Sequence, residues 1–197
     1  MSKWNYVAAS LFAAVLALPA AAQTESVVAG KAPGMAGAAR TIEVTAKITA
    51  IDAKTREITL KGPRGNQVTV EAGPEVKNFA QLKVGDSVDV RYVQAIVLEL
   101  KKGGGKKVER TEEAAVVSAK PGETPGAAAG RQITVVGDVI DIDQATHIVT
   151  VRGPKRTVEL NVEDPEQLKL IAKGDQIEAR YTEAVAVDVT PAAKTKK

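Results

Sequence analysis

The sequence predicts an all-β protein made of two tandem small OB-like five-stranded barrels, each with a short helical turn between strands three and four. Three observations carry the prediction. The stretch Ile51 to Pro63 returns 91 residues later as Ile142 to Pro154, so a duplication is read before any element is assigned. Apolar and polar residues alternate at period two through most of each copy. Gly, Pro and Asp punctuate the alternating runs where tight turns would fall.

The chain opens with Lys3 ahead of the apolar run Val7–Leu18, then Pro19 and Ala20-Ala21-Ala22. That run is too short to span a bilayer and ends in small residues, which reads as a signal peptide cleaved after Ala22. The expected location is therefore periplasmic, with no integral membrane anchor. The absence of cysteine excludes a lipid-anchored lipoprotein and any need for disulfides.

Residues 23–40 are rich in Gly and Ala and read as a flexible lead-in. Val27-Val28 nonetheless resembles Val116-Val117 ahead of the second copy, which allows a short edge strand. The first repeat is placed at 41–100. Ile42, Val44, Ala46, Ile48 and Ala50 alternate with polar neighbours, a half-buried strand long enough to bend across a small barrel. Asp52 to Thr55 make a turn, Ile58 and Leu60 a second strand, and Gly62 to Asn66 another turn before Val68 and Val70. Val76, Phe79 and Leu82 recur every three residues and mark the one helical turn. Val84-Gly85-Asp86 then turns the chain into Val88, Val90 and Tyr92, a fourth strand, and Ala95 to Leu100 make a fifth.

Residues 101–131, with Gly103-Gly104-Gly105, Pro121 and Pro125, read as a linker in which 113–119 could add a strand. The second repeat, 132–190, follows the same order, with Gly137 in place of Ala46 and Gly174-Asp175 lying 89 positions after Gly85-Asp86. Residues 191–197 form a basic tail. Strand–strand–strand–helical turn–strand–strand in about 60 residues is the order of an OB barrel, with two open sheets packed as a sandwich as the competing arrangement. Closure is favoured because so small a β unit with bare edges would be marginal.

Residues 132–189 carry six basic and eleven acidic residues, whereas 101–131 carry seven basic and four acidic. Positive charge thus lies in the linker and tail and not on a folded face. With only Phe79, Tyr92 and Tyr181 as aromatics after the leader, nucleic-acid binding is not expected.

The second copy, through Asp143, Thr150–Pro154, Val162-Glu163-Asp164-Pro165-Glu166-Gln167-Leu168 and Lys173-Gly174-Asp175-Gln176-Ile177, resembles the CusF-like family of small periplasmic copper- and silver-binding OB barrels. The first copy matches through Ala50-Ile51-Asp52, Ile58-Thr59-Leu60 and Val84 to Val88. The resemblance implies the barrel fold and a role beside metal efflux. It also implies a His, a Trp and two Met on strands two and three, and there the chain departs. Lys61 and Arg152 lie where the His would be sought, and 62–71 and 153–160 contain none of the three. Soft cations need such donors, so no metal site and no cofactor are expected.

Asp138, Asp141 and Asp143 do not share one strand face and read as a solvated edge. His147 stands in the place of Arg56, in a turn. No nucleophile elbow or catalytic triad is present; an enzyme would need carboxylates such as Asp52 and Asp143 to converge between the copies. The candidate binding residues are Arg91, Tyr92, Arg180 and Tyr181, a cation beside a ring in both copies. They would either line a groove for an envelope protein or glycan, or pack as Tyr in the core with Arg paired to an acid such as Glu99 or Asp188. The function expected is a non-enzymatic binding or interaction module of the cell envelope, with copper or silver handling as the alternative.

Overall fold

Alternation at period two gives the chain its longest strands. The computed structural model describes residues 24–192 apart from Glu75 and Pro121, so the expected leader and all but the start of the tail lie outside the described residues. The protein is all-β. Its strands are β1 (Thr24–Ala32), β2 (Met35–Asp52), β3 (Glu57–Lys61), β4 (Gln67–Glu71) and β5 (Ser87–Lys101). They are followed by β6 (Arg110–Ser118), β7 (Gly126–Asp143), β8 (Ile148–Arg152), β9 (Thr157–Asn161) and β10 (Gln176–Thr190). The helical turns fall where the sequence puts them, as a 3-10 turn Phe79–Gln81 and a helix α1 (Pro165–Leu170). Asp164 caps α1 by accepting from Glu166 N at 2.9 Å, with Pro165 preset for the first helical position.

Two closed barrels do not form. The strands make one open antiparallel sheet in the order β4-β3-β2-β5-β10-β7-β8-β9, with β1 beside β2 and β6 beside β7. The expected fourth and fifth strands of each copy are one continuous strand of 15 residues, β5 and β10. These two pair with each other from Ser87↔Thr190 to Lys101↔Gln176. That pairing takes the edge with which each copy would have closed on its own third strand.

The lead-in, read as flexible, and the linker each hold a strand, longer than the edge strand allowed at Val27-Val28 and the extra strand allowed at 113–119. Residues 24–32 pair with 35–43 as a hairpin, and 110–118 pair with 127–135. Both segments find a partner because β2 and β7, at 18 residues each, are longer than β3 and β8 can cover. A register shift between Ile48 and Ala50 recurs between Val139 and Asp141, a bulge that bends each long strand over its core.

The pairings of the first half recur in the second. Met35↔Glu99 and Lys47↔Ser87 become Gly126↔Asp188 and Asp138↔Gln176. The halves meet at Gln94↔Glu183, two residues that are themselves 89 positions apart. A local twofold axis therefore runs between them, perpendicular to the sheet.

Each half has an aliphatic core on the same sheet face. Ile48, Ile58, Leu60, Phe79 and Val88 fill the first, and Val139, Val149, Val151 and Leu168 the second. Between them Ile42, Val44, Tyr92, Ala129 and Val185 form a bridge drawn from four strands. The halves also clasp one another. Gln167 of α1 donates to Ala32 O at 2.7 Å and accepts from Gly34 N at 2.9 Å, holding the tip of the β1–β2 hairpin. Asn78, its equivalent in the first half, donates to Lys120 O and Glu123 O at 2.7 and 3.1 Å, holding the β6–β7 loop.

Candidate functional site

Successive side chains of a strand point to opposite faces, and this separates the four residues singled out by the sequence. Tyr92 and Tyr181 lie on the core face of β5 and β10, and Arg91 and Arg180 lie on the other. They do not line a common groove. Arg91 pairs with Glu43 at 2.7 Å and Arg180 with Glu99 at 2.6 Å. Lys101 and then Arg180 hold the Glu99 carboxyl below its usual range.

The tyrosines belong to a polar row at the axis that the sequence reading did not assemble. Register places Arg40, Gln94, Glu183 and Arg131 side by side across β2, β5, β10 and β7. Glu183, 5% exposed, accepts from the Tyr92 hydroxyl and from Arg131 Nε and Nη2 at 2.7 and 2.6 Å. Gln94 Nε2 donates to the Tyr181 hydroxyl at 3.0 Å. Each ring thus bonds to the axis residue of the opposite half. Burial first, and Glu183 next, push the Tyr92 hydroxyl well above its ordinary range, while the Glu183 hydrogen bond strengthens the charge on Arg131. A buried, satisfied network of this kind fixes register; it offers no ligand an open valence.

The open feature lies in the second half. In the first half Val187 and Val189 of β10 pack directly into the core around Ile58, Leu82 and Val88. The equivalent Leu98 and Leu100 of β5 instead form one wall of a cleft of about 800 Å³ with Ile177, the cross-strand neighbour of Leu100; Val149, Leu160 and Ile171 also line it. Thus the same positions pack into the core in one half and line a cleft in the other. The clasped hairpin, from Lys31 to Ala36, borders the cleft on one side and residues 159–165 on the other. The volume is that of pockets that take small ligands or peptide side chains, about 300–1,000 Å³.

Charge is uneven around the rim. Asp164 pairs with Lys31, and Glu99 with Lys101 and Arg180. Glu159 and Glu163, both exposed, have no ion pair among the described residues. The cleft is therefore aliphatic within and acidic at its lip.

Asp52 and Asp143 cap their own turns, accepting from Lys54 N and Ala145 N at 2.8 Å each. Because β2 and β7 run antiparallel with β5 and β10 between them, the two carboxylates sit at opposite corners of the sheet. Arg56 and His147 both take left-handed backbone, φ 59 and 58°. Arg56 donates to Ala72 O, Gly73 O and Val76 O and covers the Phe79 ring at 4.6 Å, so it is a structural clamp. Met35 borders the cleft and His147 does not. Among the described residues no group of three His, Cys, Asp or Glu is placed to hold a metal ion.

No family model matches the chain, and no curated protein or solved structure is significantly similar to it.

Proposed function

We propose that the chain is an exported, non-enzymatic binding module of the bacterial cell envelope, and that the cleft of its second half is the binding site. One observation carries the reading: positions filled by Val187 and Val189 in the first half are occupied by Leu98 and Leu100 in the second, yet there they face an open space. Aliphatic surface left in contact with water costs about 25 cal/mol per Å², so a cleft of this lining is stabilised by an apolar guest. The aliphatic lining, without an aromatic platform, favours a protein ligand over a glycan. Carboxylates that cap their own turns at opposite corners supply no acid–base pair, which supports the non-enzymatic reading.

The test is Nile red, a neutral apolar dye whose emission rises on burial. The wild-type chain is expected to enhance it. Ala36→Trp, at an exposed position lining the cleft, should abolish the enhancement by filling the space. Thr45→Trp, exposed on the opposite sheet face, should retain it. A wild-type chain that leaves the dye dark, or equal loss in both variants, would overturn the assignment.

A further inference from the structure

We propose that the cleft receives an extended polypeptide segment in which Lys or Arg alternates with aliphatic residues, added as a strand to the free edge of β9. The inference rests on the cleft being the binding site and names its ligand class.

The backbone of β9 supplies the first argument. Among the described residues β9 is the last strand of the sheet and pairs with β8 alone. Gly153 N donates to Arg156 O at 3.0 Å and Val162 N to His147 O at 2.9 Å. In an antiparallel ladder the residues bonded to the partner alternate. Those two bonds therefore assign Val158 and Leu160 to β8, and direct the main-chain groups of Thr157, Glu159 and Asn161 outward. Three residues spaced by two, each with N–H and C=O on an unpaired edge, form a template for strand addition.

Side chains supply the second argument. Leu160 and Val162 lie in the second core, and Glu159 and Glu163 alternate with them on the outer side. A strand laid beside β9 would send every other residue toward Leu98, Leu100 and Ile171, completing the packing that Val187 and Val189 provide in the first half. The intervening residues would flank Glu159 and Glu163, the two rim carboxylates without an ion pair among the described residues. Cations are the groups that complement them. The first half also ends in a strand with one unpaired edge, β4, but there Val187 and Val189 already pack against the core, so binding at one site per chain is expected.

The probe is the blocked peptide Lys-Val-Lys-Val-Lys-Val, titrated calorimetrically into the full chain. It should bind at one site and displace Nile red, while Glu-Val-Glu-Val-Glu-Val should not. Glu159→Gln with Glu163→Gln should weaken binding roughly three- to tenfold, as expected for two exposed ion pairs, and flatten its salt dependence. Both positions are exposed, so folding should survive the change. Methylating alternate peptide nitrogens removes the donors facing β9 and should cost about tenfold or more through three lost main-chain bonds. Equal binding of the Lys and Glu peptides, or indifference to methylation, would overturn the proposal. If Nile red binds and the peptide does not, the ligand class is wrong and the cleft assignment stands.

Discussion

Replacing Glu183 by Ala removes the acceptor that the Tyr92 hydroxyl and the Arg131 guanidinium share. Tyr92 is 7% exposed, so its hydroxyl would be left without that acceptor, a cost of about 1–3 kcal/mol. The Arg131 side chain is 41% exposed and has Glu112 at 4.0 Å, so it can turn to water; the charge pair adds only about 0–1 kcal/mol. Summed with a small cavity, Glu183→Ala should cost about 2–4 kcal/mol. Glu183→Gln creates at this position the residue already found at its counterpart, Gln94. It keeps an acceptor for Tyr92 and loses only charge, so it should cost about 1 kcal/mol. Tyr92→Phe should also cost about 1 kcal/mol, and in a double-mutant cycle with Glu183→Ala the two should couple by about 0.5–1.5 kcal/mol. Urea unfolding followed by far-UV circular dichroism reads these as shifts in midpoint at constant slope. Equal stability of the Ala and Gln variants, or strict additivity with Tyr92→Phe, would show that the axis network does not hold the halves together.

Three further outcomes are expected. A Cβ on Gly137 would lie 2.6 Å from Val151 Cγ1 and 3.1 Å from Arg152 O; Gly137→Ala should therefore destabilise by about 1–3 kcal/mol through overpacking, although the first half carries Ala46 there, and thermal melting checks it. Asp164 is held below the usual carboxylate range by Lys31 first and by Glu166 N–H next. Its contribution is complete above the unfolded carboxyl pKa of about 4 and is lost as pH falls through the lower folded value. Hydrogen-exchange protection in the β1–β2 hairpin, relative to the intrinsic rate at each pH, should accordingly fall below about pH 4, and Gln167→Ala should produce the same loosening at neutral pH. Titration with Ag(I) should give no tight stoichiometric binding, because Met35 begins β2 while His147 lies in the turn after β7 and one soft donor at a time holds silver weakly; a sharp equivalence point would restore the metal-handling reading.

Local features were legible in the residues themselves. Alternation placed the cores of β2 and β7, Asp52 and Asp143 marked their turns, and the threefold spacing of Val76, Phe79 and Leu82 marked the helical turn. These follow from side-chain periodicity and turn chemistry, which act over a few residues. The partner of each strand edge was not legible, because a strand carries donors and acceptors on both edges whatever its side chains are. Ala95–Leu100 reads equally well as a strand closing its own barrel or as an extension of β5 along β10. Asn78 and Gln167 sit 89 positions apart, as do Gln94 and Glu183, and that shared spacing was the available signal for both the clasp and the axis.

By itself the sequence determined the class of structure, the two similar halves and most of the buried aliphatic positions. Tertiary structure decided that β5 and β10 pair across the axis, which edges the lead-in strands join, and that Val187 and Val189 pack into one core while Leu98 and Leu100 line a cleft. The physical reason is that burial preference is written into each side chain, whereas backbone hydrogen bonding is satisfied by whichever edge arrives, and that choice belongs to the assembled sheet.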